Sequence, residues 1–255
     1  MKLAVLSDIH ANLHALEAVW ADLEAQRPEA VYCLGDLVGY GAFPNEVIEF
    51  IRARKIPTVM GNYDDGVGFD QDDCGCAYKH PGEAALGQRS LLWTRQATTA
   101  ENKAFLQQLL VQIRLEDHRP RLLFVHGSPR KINEYLYDDR PLASFERIAR
   151  LAGSEVLFFG HTHLPYQKAV AGTLFINAGS VGKPKDGDPR AGYAMFSSGL
   201  RHRVEFRRVT YDVAAAAAAV RQAGLPGYFA QLLETGGQAP LPSVAAAAES
   251  RGVAA

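Results

Sequence analysis

Long apolar runs and cysteine are scarce in this 255-residue sequence, and basic residues are not in excess over acidic ones. No stretch approaches the roughly 20 apolar residues of a membrane-spanning helix. The short apolar start, residues 1–6, is followed by Asp8, which argues against a secretory signal peptide. A formal net charge of −1 lacks the basic footprint of a dedicated nucleic-acid binder. We therefore expect a cytoplasmic globular protein with no membrane association and no stable binding of nucleic acid.

The three cysteines are an odd number, which excludes a framework in which every cysteine is paired. Cys33 lies inside an apolar run, so we expect a buried free thiol there. Cys74 and Cys76 form a lone Cys-x-Cys, which lacks the second pair that a structural zinc site needs. We therefore do not expect these two cysteines to be the principal ligands of a metal.

The first third of the chain alternates short apolar runs with helical patterns. This βαβαβ order predicts a parallel sheet. One helix carries an apolar stripe at spacings of three and four, formed by Leu13, Leu16, Val19, Trp20 and Leu23. The predicted strands cover residues 2–6, 30–34 and 58–60, and the predicted helices cover residues 13–26 and 45–54.

Residues 65–100 are irregular and polar, which predicts an insertion over the site. Within it we expect a helix near residues 82–94 and another from Thr98 onward, where Thr98-x-x-Glu101 resembles a capping box. The later strands follow each other closely, so the second half should be antiparallel or mixed. These strands are predicted at residues 122–125, 156–159, 173–176, 193–196 and 204–209, with a helix near residues 142–151.

The alanine run at residues 214–219 predicts a closing helix, because alanine has the highest helix propensity. Residues 236–255 are mostly small residues and proline, and we expect a poorly ordered tail. The sequence thus predicts one domain over residues 1–235.

Five polar clusters each follow an apolar, strand-like run. Ligand sites in α/β sheets form outside the carboxyl ends of strands, so the clusters can converge. Imidazole and carboxylate suit Mn, Fe, Ni, Co or Zn, and one carboxylate can bridge two ions. Any single cluster is more often a turn or a satisfied polar group, but together they predict a metal centre. The clusters are Asp8-Ile9-His10, Gly35-Asp36, Gly61-Asn62-Tyr63-Asp64, His126-Gly127 and Gly160-His161-Thr162-His163.

From residue 1 to about residue 206 the order and spacing of these clusters resemble the calcineurin-like metallophosphoesterase superfamily. The stretch Asn177-Ala178-Gly179-Ser180-Val181-Gly182, followed by Arg190, is similar to its branch of small bacterial and archaeal single-domain phosphodiesterases. The resemblance implies an α/β fold. The implied fold is a four-layer α/β/β/α sandwich of two mixed β-sheets flanked by helices.

The resemblance also implies a ligand set for two divalent ions, with manganese the first choice and iron, nickel, cobalt or zinc the alternatives. Two ions about 3.5 to 4 Å apart lower the pKa of a bridging water and present hydroxide to phosphorus. We therefore expect a phosphodiesterase that acts on a small phosphate ester or a nucleotide. One ion would be held by Asp8, His10 and His163, and the other by Asn62, His126 and His161, with Asp36 bridging both.

Tyr63 departs from the family pattern, which has a histidine after the Gly-Asn pair to protonate the leaving group. A tyrosine titrates near 10, so it is a weak proton donor at neutral pH. We expect Tyr63, Asp36 and Asn62 to be the catalytic residues, and good leaving groups to be favoured. Asp64 is expected to support its neighbours, and the lesser candidates for the acid are Asp64, Asp65, His14 and His80.

Two further residues are candidates for substrate contact. Arg190 lies in a turn-rich loop, where it could grip a phosphate oxygen with two hydrogen bonds or simply be solvated. Tyr40 follows Asp36 closely and could line the cleft or pack in the core.

Other functions compatible with the sequence are a serine/threonine phosphoprotein phosphatase and a dinucleoside polyphosphate hydrolase. A further alternative is a catalytically weak scaffold like the retromer-complex subunit, which also lacks the acid histidine. The complete set of polar ligand positions favours an enzyme, because buried polar groups are costly without a role. The oligomeric state and the physiological substrate are left open.

Overall fold

The structure is a computed structural model that describes residues 1–78, 80–117 and 120–240. Of the tail predicted at residues 236–255, residues 241–255 lie outside the described residues. The strands are β1 (Lys2–Leu6), β2 (Ala30–Cys33), β3 (Gln112–Leu115), β4 (Leu122–Val125), β5 (Val156–Phe159), β6 (Tyr166–Val170), β7 (Thr173–Asn177), β8 (Ala191–Ser197) and β9 (Arg203–Val209). The helices are α1 (Leu13–Gln26), α2 (Pro44–Ala53), α3 (Asn62–Gly68), α4 (Pro81–Ala97), α5 (Ala100–Leu106), α6 (Leu142–Ala152), α7 (Val213–Gln222) and α8 (Gly227–Glu234).

The strands form two mixed sheets. The first has the order β2-β1-β8-β9 and the second the order β3-β4-β5-β7-β6. In the first sheet β1 is parallel to β2, as predicted, and antiparallel to β8. In the second sheet β5 is parallel to both β4 and β7, while β3 and β6 are antiparallel at the edges. The mixed second half agrees with the sequence prediction.

The two sheets pack face to face through alternate side chains of their strands. Val5 of β1 and Phe196 of β8 meet Phe124 of β4 and Phe158 of β5 in one buried cluster. Each such phenylalanine stabilises the fold by about 1.5–3 kcal/mol relative to an exposed one. Helices α1 and α7 cover the outer face of the first sheet, and α6 covers the second. The predicted four-layer α/β/β/α sandwich is therefore confirmed.

Helix α1 has the predicted bounds and the predicted apolar stripe. Leu16, Val19 and Leu23 are buried against the first sheet. The side chain of Asn12 accepts a hydrogen bond from the amide of Ala15 and so caps the helix. No helix among the described residues is long and apolar enough to cross a membrane.

Two local predictions are wrong. Residues 58–60 form only isolated β-bridges, because Pro57 has no amide hydrogen and the chain enters α3 at Asn62. The capping box at Thr98 is not formed, since the Thr98 hydroxyl donates to the Thr94 carbonyl and Thr99 caps α5 instead. Helices α3 and α8 and strands β3 and β6 were not predicted.

Residues 65–100 lie against the loops that follow β2. The amide of Tyr40 donates to the hydroxyl of Ser90 on α4 at 2.8 Å, and α3 contacts both α4 and α5. That these residues are an insertion, and that residues 1–235 are a single domain, stay predictions.

Candidate metal centre

The loops after β1, β2, β4 and β5 bring the predicted polar residues together at one end of the sandwich. Five of the seven predicted ligands have a left-handed backbone, with φ between 50° and 65°. Non-glycine residues rarely adopt this conformation, and it tends to concentrate at functional sites. Hydrogen bonds between loops hold it, including Asp8 N to Gly35 O at 3.0 Å and His10 N to Asp36 O at 2.9 Å. The five are Asp8, His10, Asp36, His161 and His163.

The first group of side chains is Asp8, His10 and His163, all buried. The Oδ1 atom of Asp8 lies 3.3 Å from Nε2 of His163 and 3.8 Å from Nε2 of His10. The two Nε2 atoms are 3.2 Å apart. Three potential ligand atoms therefore converge on one point.

The second group is Asp36, His126 and His161, also buried. The Nε2 atom of His126 lies 3.5 Å from Oδ2 of Asp36, 3.2 Å from Nδ1 of His161 and 3.1 Å from Oδ1 of Asn62. The same Oδ2 atom of Asp36 is 3.6 Å from Nε2 of His10. Asp36 therefore stands between the two groups.

Backbone carbonyls fix the orientation of three of the histidine rings. The Nδ1–H of His10 donates to the Val38 carbonyl at 3.0 Å, and that of His126 to the Leu34 carbonyl at 2.7 Å. The ring of His163 donates likewise to the carbonyl of Lys183. This directs each Nε2 atom into the cluster, which is the arrangement that orients histidine ligands.

The segment after β7 holds the turn that carries two of the histidines. The side-chain amide of Asn177 donates to the Gly160 carbonyl and to the Thr162 hydroxyl, both at 2.9 Å. The hydroxyl of Ser180 donates to the Asp8 carbonyl at 2.7 Å. The Asn177 to Gly182 motif thus stabilises the turns that carry the residues of the polar cluster.

Gly61 allows the close approach of α3 to Asp36. A Cβ atom at this position would lie 2.2 Å from both the backbone nitrogen and the Oδ1 atom of Asp36. The carboxylate of Asp64 accepts hydrogen bonds from the amides of Gly61 and Leu37, at 3.0 and 2.8 Å. Asp64 therefore supports its neighbours, as predicted.

Burial and mutual charge set the protonation of the cluster. Burial lowers the pKa of His10 to about 3, and burial and His126 lower the pKa of His161. Burial alone would lower the pKa of His126, but the carboxylates of Asp36 and Asp8 raise it to about 10. Burial opposes ionisation of Asp36, but His126 and His10 hold its pKa well below the usual range. The cluster thus holds neutral imidazoles at His10 and His161, and a protonated His126 that pairs with an ionised Asp36.

Two buried polar atoms in the cluster lack a hydrogen bond from any residue that the structure describes: Oδ1 of Asp8 and Nε2 of His161. Buried polar atoms are nearly always paired, so these two require a partner of another kind. An electron-pair acceptor beside the first group would satisfy the carboxylate oxygen of Asp8, whereas His161 faces the second group with its Nδ1 atom.

Tyr63 and Tyr40 lie beside the cluster, but Arg190 does not contact it. The ring of His10 contacts the ring of Tyr40 at 4.9 Å and that of Tyr63 at 5.6 Å between centroids. The Arg190 guanidinium is exposed and pairs with the carboxylate of Asp188 at 2.7 Å. Its contact with substrate stays a prediction, whereas the backbone carbonyl of Lys183 accepts a hydrogen bond from the ring of His163.

Sequence reasoning missed the contacts that residues 74–78 and Lys183 make here. The side-chain amide of Asn62 donates to the Cys74 carbonyl at 3.0 Å and to Cys76 Sγ at 3.3 Å. The phenol of Tyr78 reaches that of Tyr40 at 2.7 Å. Only the unusual Cys-x-Cys could have signalled this, because the intervening chain gives no periodic pattern.

A two-sheet sandwich with paired buried histidine and aspartate groups at its loop end is the architecture of a metallophosphoesterase. The chain belongs to the calcineurin-like phosphoesterase superfamily, whose domain model matches residues 1–199. As a family, these proteins are metal-dependent hydrolases.

Individual relatives agree with this. The chain is 34% identical to the uncharacterized protein MJ0912 of Methanocaldococcus jannaschii over 92% of its own length and 98% of that protein. It is 28% identical to the phosphodiesterase YfcE of Escherichia coli, over 78% of this chain and 88% of YfcE. The crystal structure of a metallophosphoesterase from Sphaerobacter thermophilus aligns with a TM-score of 0.74 at 34% identity, covering 92% of this chain and 99% of that one.

Proposed function

We propose that this chain is a phosphodiesterase that works with two divalent metal ions. The observation that carries the proposal is the position of Asp36 Oδ2, 3.6 Å from His10 Nε2 and 3.5 Å from His126 Nε2. A carboxylate placed between two groups of ligand atoms suits a pair of ions. Sequence similarity to YfcE supports the diester as the substrate class.

The residues present fit a metal pair. The Oδ1 atom of Asp8, which is buried without a hydrogen bond from any described residue, suits an electron-pair acceptor. The low pKa values of His10, His161 and His163 keep these rings in the neutral form that binds metal. Asp8, His10 and His163 would hold one ion, and Asn62, His126 and His161 the other, with Asp36 shared. A mixed set of imidazole, carboxylate and amide oxygen suits manganese, with iron, nickel, cobalt or zinc as alternatives.

The ions would supply Lewis acidity toward phosphoryl oxygens and would lower the pKa of a nucleophilic water. The other residues of the site hold the ligand side chains in position. Asp36 is fixed by the amide of Tyr63, which donates to its Oδ1 at 2.8 Å, so its second oxygen faces the cluster. Asn62 is fixed by Cys74 and Cys76, so its oxygen faces His126. Tyr63 offers a neutral phenol, because burial raises its pKa well above 10.

The decisive experiment measures hydrolysis of bis-p-nitrophenyl phosphate by chelator-stripped protein, with and without added manganese. Asp36→Asn should abolish turnover, whereas Asp70→Asn should not, because Asp70 pairs with Lys103 on the surface. Bound metal is counted in parallel by mass spectrometry. Manganese-dependent turnover with two ions per chain supports the proposal. Two bound ions without turnover of this or any other phosphodiester would overturn it and favour a scaffold.

The leaving group separates the related activities. A comparison of the aryl diester with a phosphoserine peptide and a dinucleoside polyphosphate distinguishes a diesterase from a phosphoprotein phosphatase and an anhydride hydrolase. We expect the diester to give the highest kcat/KM of the three. A preference of more than tenfold for the peptide or the anhydride would contradict the diesterase assignment.

A further inference from the structure

A cavity of about 330 Å³ lies against the histidine cluster. Its wall includes Thr162, which stands between His161 and His163, and Lys183, whose carbonyl holds the ring of His163. The cavity therefore borders the candidate metal centre, although none of the seven predicted ligands forms part of its wall. Its volume is at the lower end of the range that accommodates small organic ligands, which begins at about 300 Å³.

Two rows of aromatic rings lead from the histidines along this cavity. In the first row the ring of His161 contacts Tyr135 at 4.0 Å, and Tyr135 stacks on Tyr137 at 5.8 Å with planes 14° apart. Both tyrosines line the cavity. Tyr137 remains 36% exposed, so packing within the protein does not account for its ring.

The second row starts at His10. Its ring contacts Tyr40 at 4.9 Å, Tyr40 contacts Phe229 at 5.0 Å, and Phe229 contacts Tyr228 at 6.0 Å. All three of these aromatic residues line the same cavity. The cavity therefore has an aromatic wall beginning at each half of the histidine cluster.

Charged groups are placed unequally in the cavity. The ammonium of Lys183 lies 4.4 Å from the centre of the Tyr40 ring, next to the histidines, and Lys185 lines the same wall. Glu83 is the carboxylate of the lining. The two lysine side chains beside the metal centre can donate hydrogen bonds to a phosphate there, and a carboxylate can accept hydrogen bonds from an exocyclic amine or a sugar hydroxyl.

We propose that this cavity binds the nucleoside part of a nucleotide phosphoester, with the base against the tyrosines and the phosphate between Lys183 and the histidines. Every base has an aromatic face that stacks on a tyrosine ring, and the lysines select the anionic end. The inference rests on the proposed function, because that function places the phosphate at the metal centre. It goes beyond it by choosing the nucleotide over a simple phosphate ester, which the sequence left open, and by assigning the base to the tyrosines of this cavity.

Titration calorimetry on the manganese-loaded protein tests this with AMP, ribose 5-phosphate and phenyl phosphate, the recovered ligand being checked for hydrolysis. We expect a Kd for AMP about tenfold or more below that of ribose 5-phosphate, because the stacking of one base on a tyrosine contributes about that much affinity. Tyr137→Leu should raise the Kd of AMP by about fivefold or more and leave ribose 5-phosphate unchanged. Tyr137→Phe keeps the ring and should preserve the wild-type preference.

The contribution of Lys185 to phosphate binding is tested with matched variants. Lys185→Gln should weaken all three phosphate ligands by a similar factor, whereas Lys55→Gln, an exposed lysine outside the cavity, should have no effect. Equal affinity for AMP and ribose 5-phosphate would overturn the inference, as would a phenyl phosphate affinity equal to that of AMP. The two proposals fail separately. A protein that prefers AMP but hydrolyses no diester would overturn only the proposed function.

Discussion

The phenol oxygens of Tyr63 and Tyr78 lie 3.1 Å apart. Tyr63 occupies the position where the family pattern has a histidine, and its side chain is only 1% exposed. Burial, reinforced by Tyr78 and the two cysteines, raises its pKa well above 10. The residue next to the candidate metal centre is therefore a neutral phenol that already has a hydrogen-bond partner, and not an imidazolium.

Tyr63→His should raise kcat on diesters with alkyl leaving groups by about tenfold or more, because a positioned acid typically contributes about 10²–10⁴-fold. Rates on p-nitrophenyl esters should change little, since that leaving group needs no proton. Steady-state kinetics on the two ester classes measure this, with Tyr63→Phe as the control that removes only the hydroxyl. An unchanged rate on alkyl esters in Tyr63→His would refute the assignment.

Cys76→Ala should weaken manganese binding by about tenfold to 100-fold, the usual effect of losing a group that orients a ligand. The Asn62 amide would lose one of its two acceptors and could rotate its oxygen away from His126. Cys76→Ser is the matched control, because it keeps a polar acceptor for the Asn62 amide at that position. Calorimetric titration with manganese measures both, and equal affinities in the two variants would contradict the role of Cys76.

Manganese at about 100 times its Kd should raise the melting temperature of chelator-treated protein by about 5 to 10 °C. Binding to the folded state alone stabilises by about 2.7 kcal/mol at that concentration, and each kcal/mol corresponds to about 2–4 °C at this chain length. Differential scanning calorimetry provides the measurement. Asp36→Asn should show a clearly smaller shift, and a shift identical to that of the wild type would place the ion elsewhere.

Asp22→Asn should lower the free energy of unfolding at pH 7 by about 1–2 kcal/mol, a moderate value for hydrogen bonds to a partly exposed charged group. Asp22 accepts hydrogen bonds from Arg207 and Tyr193, and chiefly the Arg207 bond lowers its pKa.

Because the folded pKa lies below the unfolded value of about 3.9, the stabilisation is complete above that value and is lost as the pH falls through the folded pKa. Urea denaturation from pH 7 down to pH 3 should therefore show the gap between wild type and variant closing at the acid end. Asp117→Asn, at an exposed position, is the control. If the difference in unfolding free energy between wild type and Asp22→Asn stays constant with pH, the charge of Asp22 does not contribute to stability.

The sequence by itself determined the α/β layering and the identity of the polar cluster. Apolar runs of four or five residues predicted β1, β4 and β5, because their side chains are buried and their patterns are local. Each predicted ligand stands directly after such a run or one turn beyond it, and this position depends on chain order alone. Chain order therefore predicted that these residues converge at one end of the fold, whereas their division between two ions came only from the family resemblance.

Only the tertiary structure decided the surroundings of that cluster. Asn62 meets Cys76, and Tyr63 meets Tyr78, through a segment whose conformation has no periodic signal. The aromatic rows join Tyr137 and Tyr228, which lie far apart in the chain, around one cavity. Such contacts depend on how separate layers pack, so residue spacing does not predict them. The physical reason is that local patterns encode which face is buried, whereas the shape of a pocket is set by elements that meet only after folding.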